Sequence, residues 1–272
     1  MDFDFSIAEV HARRVLEELG LENPADMPIS DIVLGRGAFY EEKDLGGKDG
    51  QIVTLDDHSI ITINSTIGLD SRKRFTTAHE LGHYEMHRQV SPIFTDTEEN
   101  LLRWYQENHH EREANEFAAE FLMPSELFYK EARKACGNDR LEIRENGINL
   151  PKVIDHLAAT FKVSRTATML RFAKRGNHAV MVVFSRNNII EWFSKHPDFP
   201  YYILGTRIAL RSETVAYEAF KSETVYSGVN RKQRIPKSAW FYTGDRDRDN
   251  EFFEYCIYSK KHKYAVSIIW EK

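Results

Sequence analysis

The stretch "FTTAHELGHYEMH" at residues 75–87 decides how the N-terminal half of this chain is interpreted. Positions four apart on an α-helix lie about one turn apart on the same face, so His79 and His83 can direct two imidazole nitrogens at one tetrahedral ion. Glu80 is rotated about 100° from His79, which suits a carboxylate that stands beside the ion and holds its water. The spacing predicts a helix with a catalytic metal site. The alternative is a solvated helix with two incidental histidines.

Small and apolar residues around the two histidines favour the metal site. Phe75, Ala78 and Met86 indicate that the helix packs against a core, so the histidines are expected to be withdrawn from open solvent. Gly82 in the middle of a helix costs roughly 1 kcal/mol relative to alanine, which indicates that close packing is needed at that position.

A catalytic zinc ion needs a third protein ligand and an open position. The pattern predicts a second long helix over residues 98–122, and helical phase places Glu111 within roughly 50° of the centre of its apolar stripe. Glu113 points more than about 100° away from that centre, whereas His110 lies on the opposite flank at a similar angle and competes with Glu111. Asn115, one turn after Glu111, is placed to hydrogen-bond a ligand histidine.

The motif and the segment "EREANEFAAEFLMP" at residues 111–124 together resemble the paired signature of the ImmA/IrrE family of metallopeptidases. The resemblance implies that His79, His83 and Glu111 bind one catalytic Zn²⁺ ion, with another divalent metal as the alternative. It also implies that Glu80 is the catalytic carboxylate. The resemblance covers about residues 1–175.

A third histidine follows the motif. His87 continues the ladder of His79 and His83 by one more turn, and a continuous helix carries it away from an ion bound by those two. We expect His87 to support the site rather than to bind the metal. The metzincin pattern is excluded, because Met86 and Gln89 occupy the positions where that pattern has Gly and His.

Two alternating, β-branched runs before the motif predict a hairpin, formed by residues 50–57 and 58–65 with Asp56 and Asp57 at its turn. In zinc peptidases of this architecture an exposed strand beside the cleft pairs with the substrate backbone, and residues 58–65 are the candidate. An ordinary buried strand is the alternative.

Helix and loop signals outline the rest of the N-terminal half. Residues 6–19 predict an amphipathic helix that Gly20 closes, and Asp70 or Ser71 is expected to cap the motif helix, which runs to about Arg88. Residues 91–97 are expected to form a loop. Further helices are predicted at residues 125–136 and, as a pair that meets near 162–164, at residues 151–175.

From His178 onward, short aromatic and β-branched runs predict strands: "HAVMVVFS", "NIIEWFS", "SAWFYTG", "FFEYCIYS" and "YAVSIIWE". We therefore expect an α+β fold with a zincin-like, mainly helical peptidase core and a small sheet at residues 1–124. A helical, helix-turn-helix-like region is expected at 125–175, and a mainly β region at 176–272. The resemblance implies a GAF-like sensor or recognition domain for some family members; a small sheet that completes the core is the alternative.

The segment "DHLAATFKVSRTATMLRF" at residues 155–172 resembles part of a helix-turn-helix, and Arg165, Arg171, Lys174 and Arg175 give it basic character. The same apolar positions would pack this motif without DNA, and a similar element follows the peptidase core in the resembled family. The formal charge of −5 and pI near 6.1 produce no global attraction to nucleic acid. We expect a packing module rather than direct DNA binding.

The composition predicts a cytoplasmic protein without a membrane anchor. The two cysteines lie far apart and provide neither a disulfide framework nor a C-x-x-C pair. The N-terminus carries acids at once, and nowhere do 18 apolar residues run together.

The expected reaction is metal-assisted hydrolysis of a peptide bond, with Glu80 as general base. Tyr105, His87, His109 and His110 are equal candidates for the group that stabilises the oxyanion. The resemblance implies a zinc-dependent endopeptidase that cleaves a cognate helix-turn-helix transcriptional repressor and thereby derepresses stress-response or mobile-element genes.

Two other classes of protein remain as alternatives to the peptidase. One is a DNA-binding or regulatory protein with a structural or vestigial zinc site, although such a site has no use for Glu80. The other is a peptide-binding scaffold without metal, which would leave the phase of His79, His83 and Glu111 as a coincidence.

Overall fold

The computed structural model describes residues 4–55, 58–89, 93–96, 109–137, 147–223, 225–243 and 251–272. Two compact units are present. The first comprises Met1–Leu127 with Ala158–Ser164, and the second comprises Phe128–Leu157 with Arg165–Lys272. Residues 125–175 are divided between the two units, and the strand-rich region after residue 176 lies within the second.

Helices and strands both occur throughout the described part of the chain, which confirms the expected α+β class. The helices are α1 (Ile7–Leu19), α2 (Ile29–Gly35), α3 (Asp70–Met86), α4 (His109–Leu122), α5 (Ser125–Cys136), α6 (Leu150–Phe161), α7 (Arg165–Arg175) and α8 (Val215–Ser222). The strands are β1 (Phe39–Lys43), β2 (Gly50–Leu55), β3 (His58–Asn64), β4 (Ile93–Asp96), β5 (Val180–Arg186), β6 (Ile189–Lys195), β7 (Gln233–Ile235), β8 (Phe252–Ser259) and β9 (Tyr264–Glu271). Within these ranges no helix is long and apolar enough to cross a bilayer.

Helix α1 starts and ends where its sequence predicts. The Ser6 hydroxyl accepts a hydrogen bond from the backbone N–H of Glu9, and the Glu9 carboxylate accepts one from the backbone N–H of Ser6, so the two residues form a capping box. Gly20 ends the helix in the left-handed conformation, at φ 65°.

The sheet of the first unit has the strand order β1-β3-β2-β4. Strands β2 and β3 form the predicted antiparallel hairpin, with Leu55 opposite His58; the predicted turn residues Asp56 and Asp57 lie outside the described residues. Strand β1 pairs with β3 in parallel, so β3 has a neighbour on each side. The expectation that residues 58–65 form an exposed substrate strand is therefore wrong, and the outer strands of the described sheet are β1 and β4.

Strand β4 corrects a second expectation, since residues 91–97 were predicted to form a loop. Ile93–Asp96 is a strand that pairs antiparallel with β2, with Asp96 opposite Gly50. The segment alternates β-branched and aromatic residues but is only four residues long. A pattern that short next to Pro92 reads as a loop, and the pairing partner that makes it a strand is more than thirty residues away in sequence.

The motif helix α3 runs over Asp70–Met86, close to its predicted range. Its N-cap position is Leu69, which has no capping side chain, so the prediction of Asp70 or Ser71 as the cap is wrong. Asp70 is instead the first helical residue, where its carboxylate favourably faces the positive end of the helix dipole. Helix α4 is described from His109 onward and ends at Leu122, two residues before Pro124.

Close packing between α3 and α4 explains the glycine inside the motif. A Cβ atom added to Gly82 would lie 3.1 Å from Phe117 Cδ1 and 3.3 Å from the Cα of Ala114. The two helices approach at this point more closely than an alanine would readily allow. The motif histidines of α3 and the inward face of α4 are thereby brought together.

The second unit contains a five-stranded antiparallel sheet of order β6-β5-β9-β8-β7. Four of the predicted runs are strands, but "SAWFYTG" is not. Lys237–Ala239 is a short 3₁₀ helix, and Phe241 forms only an isolated bridge with Ile203. The run instead supplies core residues, because Trp240 and Phe241 are each 1% exposed.

A buried carboxylate organises the interior of this second unit. Glu254 on β8 has no exposed surface and accepts hydrogen bonds from the backbone N–H groups of Val215 and Ala216 at the start of α8. It also accepts hydrogen bonds from Trp240 Nε1 and the Ser267 hydroxyl. One side chain therefore joins α8, the 3₁₀ segment and two strands.

Candidate metal centre

Helices α3 and α4 bring His79, His83 and Glu111 together, with one ligand atom from each residue lying within 4.8 Å of the others. The two histidine Nε2 atoms are 3.1 Å apart. Glu111 places Oε2 3.1 Å from His79 Nε2 and Oε1 3.5 Å from His83 Nε2. Both histidine side chains are 1% exposed, and that of Glu111 is 12% exposed.

The distances suit a metal ion of the size of zinc. Zinc bonds of about 2.0–2.2 Å at tetrahedral angles place two ligand atoms roughly 3.3–3.5 Å apart. The observed separations of 3.1 and 3.5 Å lie close to this value. Two imidazoles and one carboxylate are also the donor set of a catalytic zinc site that keeps a fourth position open. Among the residues that the structure describes, no other group of three His, Cys, Asp or Glu side chains meets the same geometric test.

The protonation states of these residues favour cation binding. Burial lowers the pKa of His83 to about 4, against the opposing effect of Glu111, so its imidazole is neutral at pH 7. Burial alone would raise the pKa of Glu111, but its hydrogen bonds with His79 and His83 outweigh burial and hold that pKa well below its usual range. A neutral imidazole and an ionised carboxylate are the forms that bind metal.

Glu80 lies beside this group on α3 and has no exposed surface. Its carboxylate faces the start of β2, since a Cβ atom added to Gly50 would lie 2.8 Å from Glu80 Oε1 and 2.6 Å from Thr76 Cγ2. Only glycine fits at position 50 without displacing one of these side chains. Sequence reasoning did not single out Gly50; a glycine at the first position of a strand is the only signal it carries.

Asn115 fixes the orientation of His79, as its helical position predicted. Its Oδ1 atom lies 3.0 Å from His79 Nδ1, and both residues are about 1% exposed. Because the side-chain oxygen of asparagine can only accept, the contact with Asn115 favours the form of His79 that donates from Nδ1, which is the form that would offer Nε2 to a metal ion.

The other histidines of this region lie around His87. His87 is 4% exposed, and burial lowers its pKa, with Glu113 opposing the shift. The ring of His110, the sequence-based competitor of Glu111, packs against the ring of His87 at 4.7 Å and is not part of the three-residue group. The side chain of His109 is 66% exposed. Tyr105, another candidate for oxyanion stabilisation, lies outside the described residues.

Comparison with protein families shows that one family model matches the segment that contains these residues. The family model for peptidase M78, described as the IrrE N-terminal-like domain, matches residues 37–172, half of the 272-residue chain. The chain belongs to this family. The resemblance to the ImmA/IrrE metallopeptidases is thereby confirmed, and the segment matched by the IrrE N-terminal-like domain contains both helices of the candidate metal centre. A search of curated proteins found no match.

A solved structure shares the fold of this IrrE-family chain. It is described as a Mycobacterium tuberculosis transcriptional regulator, and the two chains are 15% identical with a TM-score of 0.63. The similarity covers 98% of this chain and 76% of that chain. At this identity the similarity shows the fold alone.

The helix-turn-helix-like part of this IrrE-family chain consists of α6 and α7, which meet at residues 162–164 as predicted. Two of its basic residues have described surroundings: Arg165 pairs with an acidic residue at the surface, and Arg171 is buried. Asp155 binds Arg165 Nε at 2.6 Å and Arg231 Nη2 at 2.6 Å, and Arg171 is only 2% exposed.

Proposed function

We propose that this protein is a zinc-dependent endopeptidase that cleaves a cognate helix-turn-helix transcriptional repressor and so derepresses stress-response or mobile-element genes. The observation that carries the proposal is the buried group of His79, His83 and Glu111, with Glu80 on the same helix. This group lies inside the segment matched by the IrrE N-terminal-like family. A cytoplasmic setting is part of the proposal, because repressors act there.

Each residue of the centre has a separate role in the proposed reaction. His79, His83 and Glu111 would hold a zinc ion, which when bound would polarise the scissile carbonyl and lower the pKa of water from about 15.7 towards 7. Glu80 accepts the proton of the attacking water and delivers it to the leaving amine. Gly50 allows the Glu80 carboxylate to lie between α3 and β2.

Strand β4 is the proposed docking strand for the substrate backbone. It is an outer strand of the described sheet, and it pairs with β2 so that Asp96 lies opposite Gly50. Gly50 in turn lies against Glu80. A peptide that paired with the outer edge of β4 would lie about 4.8 Å from that strand. It would then be close to the part of the sheet against which the Glu80 carboxylate packs.

A regulatory protein with a structural zinc site is the second candidate, and the transcriptional regulator among the solved structures of the same fold favours it. The position of Glu80 argues for the peptidase. A structural site usually fills its fourth position with protein, and it gains nothing from a buried carboxylate beside the ligands.

The test uses the zinc-loaded full-length protein, a repressor encoded by a neighbouring gene and casein, with products followed by mass spectrometry. We expect one cut in the repressor and no digestion of casein. Glu80→Gln should abolish the cut, and Glu22→Gln, an exposed substitution of the same kind, should not. Rapid digestion of casein beside an intact repressor would contradict the dedicated peptidase, and an inert wild-type protein with bound zinc would favour the regulator.

A further inference from the structure

A chain of polar contacts continues from the metal centre on the side of His83 that faces away from His79. His83 Nδ1 lies 3.0 Å from His87 Nδ1, and His87 Nε2 lies 3.1 Å from Glu113 Oε2. The other oxygen of Glu113 lies 3.3 Å from His109 Nε2 at the exposed end. These polar contacts therefore extend from the buried ring of His83 to the exposed surface of α4.

The proton positions along this chain follow from its two ends. A His83 ring that offers Nε2 to a metal carries its proton on Nδ1, so His87 Nδ1 must be the acceptor of that N–H group. A neutral His87 then has its own proton on Nε2, from which it donates to Glu113. The carboxylate can only accept. With Nε2 of His83 offered to a metal, this arrangement of protons gives the contacts between His83, His87 and Glu113 one donor and one acceptor each.

Position also decides that His87 is not itself a ligand. His83 directs Nε2 towards His79 and Nδ1 towards His87, so His87 lies across the His83 ring from the three ligand atoms. His83 and His87 are 1% and 4% exposed, which leaves little access for water to Nδ1 of His83. The buried N–H group needs a protein acceptor, and His87 provides it.

We propose that His87 and Glu113 are positioning residues of the metal centre, which hold the ring and the tautomer of His83 as Asn115 holds those of His79. The inference rests on the proposed function, since it assumes that the group binds a metal. It assigns the two ligand histidines different supports. His79 is held by one amide on α4, whereas His83 is held by a two-residue relay that links the end of α3 to α4.

The rival explanation is that the contact between His87 and Glu113 only fastens α3 to α4. The two explanations predict different zinc affinities when His87 is replaced by a residue that can accept a hydrogen bond from His83. An asparagine at position 87 can present its Oδ1 close to the place of His87 Nδ1, so it can accept from His83, but it is too short to reach Glu113. Leucine fills a similar volume and accepts nothing.

The experiment measures the zinc affinity of the full-length protein by competition with a chelator. Loss of a partner that orients a ligand typically weakens metal affinity about 10–100-fold, and we expect this for His87→Leu. His87→Asn should restore most of the affinity. Thermal unfolding of the metal-free proteins reports any loosening of the helices. His156→Leu is the matched control, because it removes a histidine 3.6 Å from a glutamate, Glu131, outside the centre.

Each outcome decides between the explanations. Weak binding by His87→Leu with recovery in His87→Asn supports the relay. Unchanged affinity in His87→Leu, or equal weakening in both variants, overturns it and leaves the proposed function standing. A wild-type protein that binds no zinc overturns both. If His87→Leu does not fold, Glu113→Ala against Glu113→Gln repeats the comparison, and equal affinities of these two variants and wild type overturn the relay.

Discussion

Gly50 links the stability of the first unit to the placement of Glu80, the proposed catalytic carboxylate, and Gly50→Ala tests that link. The new methyl group would lie 2.6 Å from Thr76 Cγ2 and 2.8 Å from Glu80 Oε1, both shorter than van der Waals contact. Thr76 is β-branched and fully buried, so it yields little. Overpacking of this kind costs about 1–3 kcal/mol. We expect a Tm lowered by about 2–12 °C at this chain length.

The same substitution should separate catalysis from metal binding. The Glu80 side chain must move to make room, whereas none of the three proposed metal ligands is among the closest contacts of the new methyl group. We expect kcat to fall at least about tenfold, which corresponds to about 1.4 kcal/mol of transition-state stabilisation, while zinc content stays at the wild-type level.

A second substitution distinguishes the two contacts. Thr76→Ser removes the methyl group at 2.6 Å, so Gly50→Ala with Thr76→Ser should regain much of the lost stability. The contact with Glu80 at 2.8 Å remains, and cleavage should stay impaired. Gly68→Ala is the control, because a Cβ atom there meets nothing within 4 Å. A Gly50→Ala protein with wild-type Tm and wild-type kcat would refute this reasoning, and so would one that has lost its zinc.

Three further predictions follow from the sites described above. Glu111→Ala should lower zinc content by removing one of three ligands, and metal analysis of the purified protein checks this; unchanged zinc would make His110 the next candidate. Glu254→Gln should destabilise the second unit by roughly 2–3 kcal/mol in urea unfolding. The new amide N–H groups would face groups that donate hydrogen bonds to Glu254 in the wild type. Wild-type stability of the variant would show that Glu254 does not hold these segments together. Burial raises the pKa of Asp155, but hydrogen bonds with Arg231 and Arg165 outweigh it and lower that pKa overall, so its contribution to stability is present above its unfolded pKa and is lost as pH falls through the folded one. Asp155→Asn should therefore destabilise the protein at pH 7, and the difference from wild type should shrink as the pH falls through the folded pKa. A difference that stays constant from pH 7 to strongly acidic pH would contradict the assignment.

The sequence was sufficient for the parts of the centre that follow helical geometry. Spacing of four residues placed His79 and His83 on one face, and the phase of α4 directed Glu111 and Asn115 inward but left His110 as a competitor of Glu111. The hairpin was also predictable, since its two strands alternate and adjoin in sequence. In each case the prediction uses only residues that are close in sequence, within one helix or within one hairpin.

Features that depend on distant segments were not predictable. The parallel pairing of β1 with β3 places β3 inside the sheet, and nothing in an alternating pattern states which strand becomes its neighbour. Helical phase gave the direction of Glu113 relative to the core of α4. It did not reveal that His87, on another helix, would lie within reach of that carboxylate.

The strand order of the first sheet also has a kinetic consequence. Strand β3 lies between β1 and β2, although β1 precedes both in the chain, so a chain that paired β1 with β2 first would have to open again. The hairpin of β2 and β3 needs only a short loop and forms on the scale of about 1–10 μs, well before a parallel pairing between distant segments. Substitutions in the hairpin should therefore slow refolding, whereas those in β1 should mainly speed unfolding. Because Gly50 belongs to the hairpin, we expect the surface against which Glu80 packs to be among the first parts of this unit to assemble.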